Sequence, residues 1–222
     1  MNSVLTTWAS CVGGWLVDVT ARRPSGVIGR YSYGGARGAP RAHEPIFDEA
    51  LELLGPVEGA RCLEIGCGGG AMLERLLSRG AAVVAALDHS PDMLALAMVY
   101  NQRAVADERL QLKLGDAARI PWPDQTFDVA VSVNMFFFMA EPQQVLDELF
   151  RVLRVGGRLV VVTAPGPLPK ASPQHWWVYF WGPSLHVHTD ADMARMFERA
   201  GFTDVRIDSD GALQHCRGSR PR

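Results

Sequence analysis

A glycine-rich turn flanked by acidic residues is the part of this sequence whose residue types and spacing best suit binding chemistry. The run Ile-Gly-Cys-Gly-Gly-Gly contains Gly66 and Gly68, Glu64 stands two residues before Gly66, and Asp88 lies about twenty residues farther on. Glycine lets the backbone turn sharply, the next helix offers free N–H groups, and Asp88 is placed to accept from ribose hydroxyls. The pattern predicts a nucleoside-containing ligand. It suits a dinucleotide and an adenosyl compound alike, because Gly66, Gly68 and Ala71 also satisfy G-x-G-x-x-G/A.

The polar residues after the later apolar runs separate these two ligands. Asp116 and Ala117 follow the third run, where the carboxylate could accept from the adenine amine while the Ala117 N–H lies beside the ring. Asn134 follows the fourth run. Glu64 could hold a methionine-like ammonium or an adjacent amide. This neighbourhood favours an adenosyl ligand that carries an ammonium group.

Apolar runs that alternate with helical patterns predict the elements that position these residues. The predicted strands are 61–65, 82–87, 110–114, 127–133 and 158–163. The predicted helices are 42–54, 71–78, 91–104 and 142–153. Each strand is apolar enough to be buried on both faces, which indicates a parallel sheet with right-handed crossovers and helices on both sides.

The C-terminal part departs from this alternation. Residues 164–188 form a long insert rich in Pro, Trp and His. Thr189 is predicted to be the N-cap of a helix, with Asp192 completing a capping box and Gly201 ending the helix. The last two predicted strands are 203–207 and 212–216.

Residues 1–41 are predicted to form an N-terminal helix and a lid-like segment that precede the main domain, 42–222. Apolar residues recur at helical spacing from Val4 to Val19, which favours an amphipathic helix over a signal peptide. We expect this helix to pack on its own protein or on a second subunit, as in a homodimer, without stable membrane insertion.

Composition restricts the classes of partner. The net charge of −2 argues against a nucleic-acid track or an anionic membrane surface. The 4 cysteines lack the spacing of a metal site, so no metal is expected. Free thiols fit a reducing cytoplasm.

Four ordered motifs resemble those of the class I S-adenosylmethionine-dependent methyltransferases, specifically the small-molecule group related to ubiquinone and menaquinone methyltransferases. These motifs are LEIGCGGG, ALDHSPDML, GDAARIPWPDQTFDVAVSV and RVLRVGGRLV. The resemblance implies an α/β fold: a Rossmann-like three-layer sandwich with a seven-stranded, mostly parallel sheet whose last strand is antiparallel. It also implies S-adenosylmethionine as cofactor and S-adenosylhomocysteine as product.

The resemblance further implies a set of cofactor contacts. Asp88 would bind the ribose, Asn134 would offer a carbonyl near the amino-acid part, and His89 stands where the family more often has an apolar residue. The residues implied at the methionine half are Glu64, Gly66 and Gly68, and those implied at the adenine are His89, Met93, Asp116 and Ala117.

The methyl acceptor must be held in line with the methyl group and shielded from water, because the sulfonium carries its own leaving group. An alcohol or a carbon acceptor also needs a general base, for which His186 and His188 are candidates; a surface or capping role is their alternative. The candidate residues of the substrate pocket are Phe136, Phe137, Trp177, Phe180 and Trp181. Core packing under a long loop is the alternative for the insert's aromatic residues.

Three rival functions are weighed against a small-molecule methyltransferase of biosynthesis. An NAD(P)-dependent oxidoreductase is disfavoured because the chain has no Tyr-x-x-x-Lys pair. A methyltransferase acting on nucleic acid or protein is disfavoured because the chain has no Asn-Pro-Pro-Tyr-type motif and no basic stripe. A cyclase-type enzyme or a cofactor-binding module stays open, because its nucleotide site would look the same.

Overall fold

The computed structural model describes residues 44–166, 185–210 and 213–222. Its helices are α1 (Glu44–Leu54), α2 (Ala71–Ser78), α3 (Pro91–Tyr100), α4 (Gln102–Ala106), α5 (Pro142–Val152) and α6 (Asp190–Ala200), with a 3-10 helix at Phe136–Phe138. Its strands are β1 (Arg61–Ile65), β2 (Val83–Asp88), β3 (Leu110–Leu114), β4 (Phe127–Val133), β5 (Leu153–Thr163), β6 (Thr203–Ser209) and β7 (Gln214–Ser219). The predictions for residues 1–41 and for Trp177, Phe180 and Trp181 lie outside the described residues.

The seven strands form one sheet in the order β3-β2-β1-β4-β5-β7-β6. The pairs from β3 to β5 are parallel, and β7 runs antiparallel to both of its neighbours. This confirms the predicted sheet. Because the strand order reverses between β1 and β4, a crevice opens there at the carboxyl edge, where open α/β sheets bind their ligands.

Two apolar layers hold the helices against the sheet. On one face, α1, α2 and α3 pack on side chains such as Val84, Val131 and Val160. On the other face, α5 and α6 pack on Leu63, Ala130 and neighbouring side chains. Successive side chains along each strand therefore pack into opposite apolar layers, as a three-layer sandwich requires.

One predicted element differs from the structure in its burial and another in its continuity. Strand β3 is not buried on both faces, because it is the outermost strand, and Leu114 is 59% exposed. The predicted helix over 91–104 breaks at Asn101 into α3 and α4. The side chain of Asn101 turns back to the carbonyl oxygens of Gly70 and Ala97, at 3.3 and 3.0 Å.

The caps of α6 follow the prediction, whereas β6 ends at Ser209 and β7 spans Gln214–Ser219, in place of the predicted 203–207 and 212–216. The Thr189 Oγ1 accepts from the Asp192 N–H, and the Asp192 carboxylate accepts from the Thr189 N–H, each at 3.2 Å, which completes the capping box. Gly201 ends α6 with φ of 100°. Strand β5 begins earlier than predicted, at Leu153 directly after α5.

Candidate cofactor-binding site

The glycine turn connects β1 to α2 through a backbone that only glycine adopts readily. Gly66, Gly68 and Gly70 have φ of 74°, 49° and 88°, in the left-handed region. The Gly66 N–H donates to the Leu87 carbonyl at 2.7 Å and ties the turn to β2. The turn therefore lies at the crevice between β1 and its neighbours.

Asp88 holds this turn from the end of β2. Its Oδ2 accepts from the Gly68 N–H at 2.9 Å, and its Oδ1 accepts from the Ser90 N–H at 2.8 Å. The residue is only 6% exposed, and burial raises the pKa of its carboxyl although these hydrogen bonds oppose the rise. Each carboxylate oxygen keeps a lone pair after these bonds, so the group can still accept from a ligand.

Glu64 is a buried acid without a complete set of partners. It is 2% exposed, and its Oε2 has no hydrogen-bond partner. Burial, and secondly the charge of Asp88, raise the pKa of the Glu64 carboxyl well above its usual 4.5. A cationic donor beside the Glu64 carboxyl would offset both the cost of burying its charge and the repulsion by Asp88.

A cleft of about 550 Å³ opens at the same edge of the sheet. Its apolar lining includes Ile65, Leu87, Leu114, Met135, Phe138 and Met139. Its polar lining includes Asp88, His89, Asp116, Glu141 and Gln144. No lysine or arginine of the described chain lines it, so the cleft is acidic.

Four of the residues predicted to contact cofactor line this cleft: Asp88, His89, Asp116 and Ala117. Asp116 is exposed, and its Oδ1 accepts from the Ala118 N–H at 2.9 Å, which fixes the turn after β3. Asn134 is half-buried, adopts φ of 54°, and donates its N–H to the Val162 carbonyl at 2.8 Å. Asparagine adopts this left-handed conformation more readily than most residues with a side chain.

Other predicted cofactor residues are set back from the cleft surface. Glu64, Gly66 and Gly68 are not among its lining residues. The Met135 side chain lines the cleft and rests against Gly66, so that a Cβ on Gly66 would come within 2.9 Å of the Met135 Cβ. Met93 is fully buried and does not line the cleft, so the structure gives it no surface for the adenine contact that we expected.

The predicted substrate residues after β4 are divided by the 3-10 helix. Phe136 is fully buried in the core beside α5 and is not among the cleft's lining residues, so it does not face the cleft as we expected. Phe137 is half-buried and packs edge-on against Phe138, with ring centroids 4.5 Å apart. Phe138, the next residue of the 3-10 helix, lines the cleft instead.

The two candidate bases lie beside this 3-10 helix and the start of α6. The exposed His186 donates its backbone N–H to the Phe137 carbonyl at 2.7 Å. His188 is half-buried, and its Nε2 has no partner. Burial lowers the pKa of His188 from its usual 6.5. The charge of Asp192 opposes this decrease, and the charge of His186 adds to the decrease. This shift favours the neutral imidazole, which is the form that can accept a proton.

Sequence reasoning missed two groups that support the site. Asn101 holds the Gly70 carbonyl from the break between α3 and α4, and nothing in the helical pattern distinguished it. Arg151 of α5 binds Glu148 through two bonds of 2.7 and 2.8 Å and also donates to the Ile120 carbonyl at 2.9 Å. This second group fastens the loop that follows Asp116 to α5.

The described residues contain neither a metal-type cluster nor a membrane-spanning helix. No set of three or more His, Cys, Asp or Glu side chains is grouped to hold a metal ion in the described ranges. None of the helices described there has both the length and the apolar character that crossing a bilayer requires. Cys62, Cys67 and Cys216 are buried free thiols.

The match of residues 63–161 to the family model of the methyltransferase domain decides the assignment. This span of the chain is assigned to the methyltransferase domain family. The matched methyltransferase domain contains the glycine turn, Asp88, Asp116 and nearly all of β1 to β5. The cofactor of this family is S-adenosylmethionine.

Individual relatives match the methyltransferase domain only in part. A demethylmenaquinone methyltransferase from Clavibacter sepedonicus is 38% identical over 120 residues, which cover 53% of this chain and 47% of the relative. The chain thus spans about half the length of that curated relative.

Among solved structures, the fold is similar to phosphoethanolamine N-methyltransferase 2 of Haemonchus contortus, with a TM-score of 0.77, 16% identity and coverage of 92% of this chain and 60% of that one. It is also similar to the 4+2 cyclase SpnF, with a TM-score of 0.69, 18% identity and coverage of 96% and 97%. At these identities the likeness shows the fold alone.

Proposed function

We propose that this protein transfers the methyl group of S-adenosylmethionine to a small-molecule acceptor. The charge of the cleft is the observation that carries the proposal. S-adenosylmethionine bears a sulfonium and an ammonium against one carboxylate, whereas a dinucleotide bears a pyrophosphate. A cleft lined by Asp88, Asp116 and Glu141, with no described lysine or arginine, attracts the first and repels the second.

Each acidic group suits one part of this cofactor. Asp88 would accept from the ribose hydroxyls with the lone pairs that Gly68 and Ser90 leave unused. Asp116 and Ala117 would meet the adenine edge. Glu64, which lacks a partner for Oε2, would compensate the ammonium from behind the glycine turn.

The cofactor supplies an activated methyl group when it is bound, so the chain's task is to position the acceptor and exclude water. The apolar side chains of Met135, Phe138 and Met139 line the cleft and would exclude water from the methyl group. An acidic cleft also disfavours a nucleic-acid backbone, which supports a small acceptor over RNA or DNA.

Calorimetric titration of the full chain tests the cofactor. We expect S-adenosylhomocysteine to bind and NADH not to bind. Binding of NADH in preference to S-adenosylhomocysteine would overturn the assignment.

Transfer itself needs a second measurement. The chain is incubated with S-adenosylmethionine labelled in its methyl group and an extract separated into small metabolites and macromolecules. We expect label in a small metabolite. Label in RNA or protein would overturn the small-molecule acceptor, and binding without any transfer would favour a cyclase-type enzyme or a binding module.

A further inference from the structure

Five buried polar atoms of the described residues have no hydrogen-bond partner, and they share one region of the fold. They are Glu64 Oε2, Ser132 Oγ, Thr163 Oγ1, His188 Nε2 and Gln214 Oε1. Each belongs to the carboxyl half of a parallel strand, to the start of the antiparallel β7, or to the residue before the N-cap of α6. Folded proteins pair nearly all such atoms, so their concentration here calls for a cause.

Thr163 and Gln214 form the centre of this group. Thr163 is the last residue of β5, Gln214 is the first residue of β7, and the two are directly opposite in the antiparallel register. Side chains opposite each other project from the same face, with Cβ atoms about 5 Å apart. That face is the one covered by α5 and α6, because Val161 and Cys216, two residues away on each strand, belong to its core. Thr163 is 3% exposed and Gln214 is 0% exposed.

The hydrogen bonds of Gln214 fix which way its amide faces. Its Nε2 donates to the Asp190 Oδ1 at 2.6 Å and to the His188 carbonyl at 3.3 Å. Both partners are acceptors, so the amide cannot be reversed without losing both bonds. The Oε1 is therefore left as an acceptor that lacks a donor.

His188 brings the third atom to the same place. Its carbonyl accepts from Gln214 and, at 2.8 Å, from the Gly166 N–H just beyond the end of β5. Two residues earlier, His186 binds the Phe137 carbonyl of the 3-10 helix that borders the cofactor cleft. Thr163, His188 and Gln214 therefore lie at the same edge and face as the cleft, displaced toward β5 and β7, and none of the three is among the residues that line it.

We propose that Thr163, His188 and Gln214 form the acceptor subsite, which binds the O–H or N–H group that becomes methylated. This inference rests on the proposed methyl transfer. Gln214 Oε1 and His188 Nε2 are acceptors for that group when His188 is protonated at Nδ1, and the Thr163 hydroxyl can donate to its oxygen or nitrogen.

With these roles, the bonds, electrons and proton of the methyl transfer are all accounted for. The lone pair of the acceptor oxygen or nitrogen forms the bond to the methyl carbon, and the carbon–sulfur bond breaks with its electron pair going to sulfur. The proton of the acceptor passes to His188 Nε2 and then to solvent.

Phenol and anisole provide a matched pair of probes, because anisole has the same ring without the O–H group. The full chain, labelled with ¹⁵N-histidine and loaded with S-adenosylhomocysteine, is titrated with each compound while the His188 ring nitrogens are followed by NMR. We expect a saturable shift of His188 with phenol and none with anisole. No saturable shift with phenol, or equal shifts with both compounds, would overturn the subsite.

The Thr163→Val variant distinguishes a role of the Thr163 hydroxyl in binding the acceptor from a role in stabilising the fold. Because the hydroxyl has no partner, we expect Val to leave the melting temperature equal or higher, while phenol binds about 5-fold more weakly and S-adenosylhomocysteine binds as before. Thr163→Ser, which keeps the hydroxyl, should bind phenol like the unchanged chain. A lower melting temperature with unchanged phenol binding would overturn the proposal.

Two further outcomes are distinguishable. If a crystal of the S-adenosylhomocysteine complex holds an ordered water on the three atoms that phenol does not displace, the subsite is a structural water site and the proposal fails. If S-adenosylhomocysteine itself does not bind, the proposed function fails first, and the subsite with it.

Discussion

Glu64 and Asp88 lie diagonally across β1 and β2 on one face of the sheet. Glu64 pairs with Ala86, and Asp88 follows two residues later on the same strand. Both carboxyl groups are buried, and the charge of Asp88 adds to burial in raising the pKa of Glu64. The ligand-free protein therefore carries two acids that oppose each other's ionisation, next to the turn that would receive a cation.

This relationship predicts how stability depends on pH. The unfolded chain releases the Glu64 proton near 4.5, whereas the folded protein keeps it to a higher pH. Between these values the folded state binds more protons, so its stability falls as pH rises, by at most about 1.4 kcal/mol per pH unit. We expect the free energy of unfolding of the unchanged chain, relative to Glu64→Gln, to decline above pH 4.5.

Denaturant unfolding of both proteins without ligand, across the range from mildly acidic to neutral pH, measures this difference. Asp88 is present in both, so its own titration largely cancels in the subtraction. Parallel profiles for the two proteins would show that Glu64 ionises normally in the fold.

Replacing Asp88 should loosen the glycine turn. Asp88→Ala leaves the Gly68 and Ser90 N–H groups without their acceptor, and we expect the affinity for S-adenosylhomocysteine to fall by about 1–3 kcal/mol. Titration calorimetry measures the change. Asp107→Ala is the control, because Asp107 is an exposed acid that does not line the cleft. Equal affinity in a folded Asp88→Ala protein would remove Asp88 from the site.

The Gly66→Ala substitution should destabilise the folded protein for two reasons. The added Cβ would overlap the Met135 side chain, and the φ of 74° is strained for any residue with a Cβ. We expect a loss of about 1–3 kcal/mol in unfolding free energy, part of which Gly66→Ala combined with Met135→Ala restores. A double-mutant cycle of thermal unfolding measures the coupling. Full restoration would mean that the backbone carries no strain.

Asn101→Ala should weaken cofactor binding from outside the cleft. Its Nδ2 holds the Gly70 and Ala97 carbonyl oxygens, and the residue is 6% exposed. We expect an unfolding free energy lower by about 1–3 kcal/mol and weaker binding of S-adenosylhomocysteine. Gln102→Ala, at the exposed neighbouring position, is the control. If stability falls while affinity per folded molecule is unchanged, Asn101 supports only the fold.

The sequence by itself determined the elements and the glycine turn. Strands β1, β3 and β4 and helix α2 have the bounds that the apolar pattern predicted. The sequence also predicted the capping box of Thr189 and the end of α6 at Gly201, because caps and left-handed turns depend on residue types a few positions apart. The polar residues after successive strands favoured an adenosyl ligand, and the resemblance of four ordered motifs to a known family implied the family and its cofactor.

Only the tertiary structure decided which of these residues meet. It placed β3 at the sheet edge, turned Phe136 into the core, set Met135 against Gly66 and brought Thr163 opposite Gln214. Each of these facts depends on strand order and register between segments far apart in the chain. Local propensity carries no information about such pairings, because a strand pattern is satisfied equally well in the centre of a sheet and at its edge.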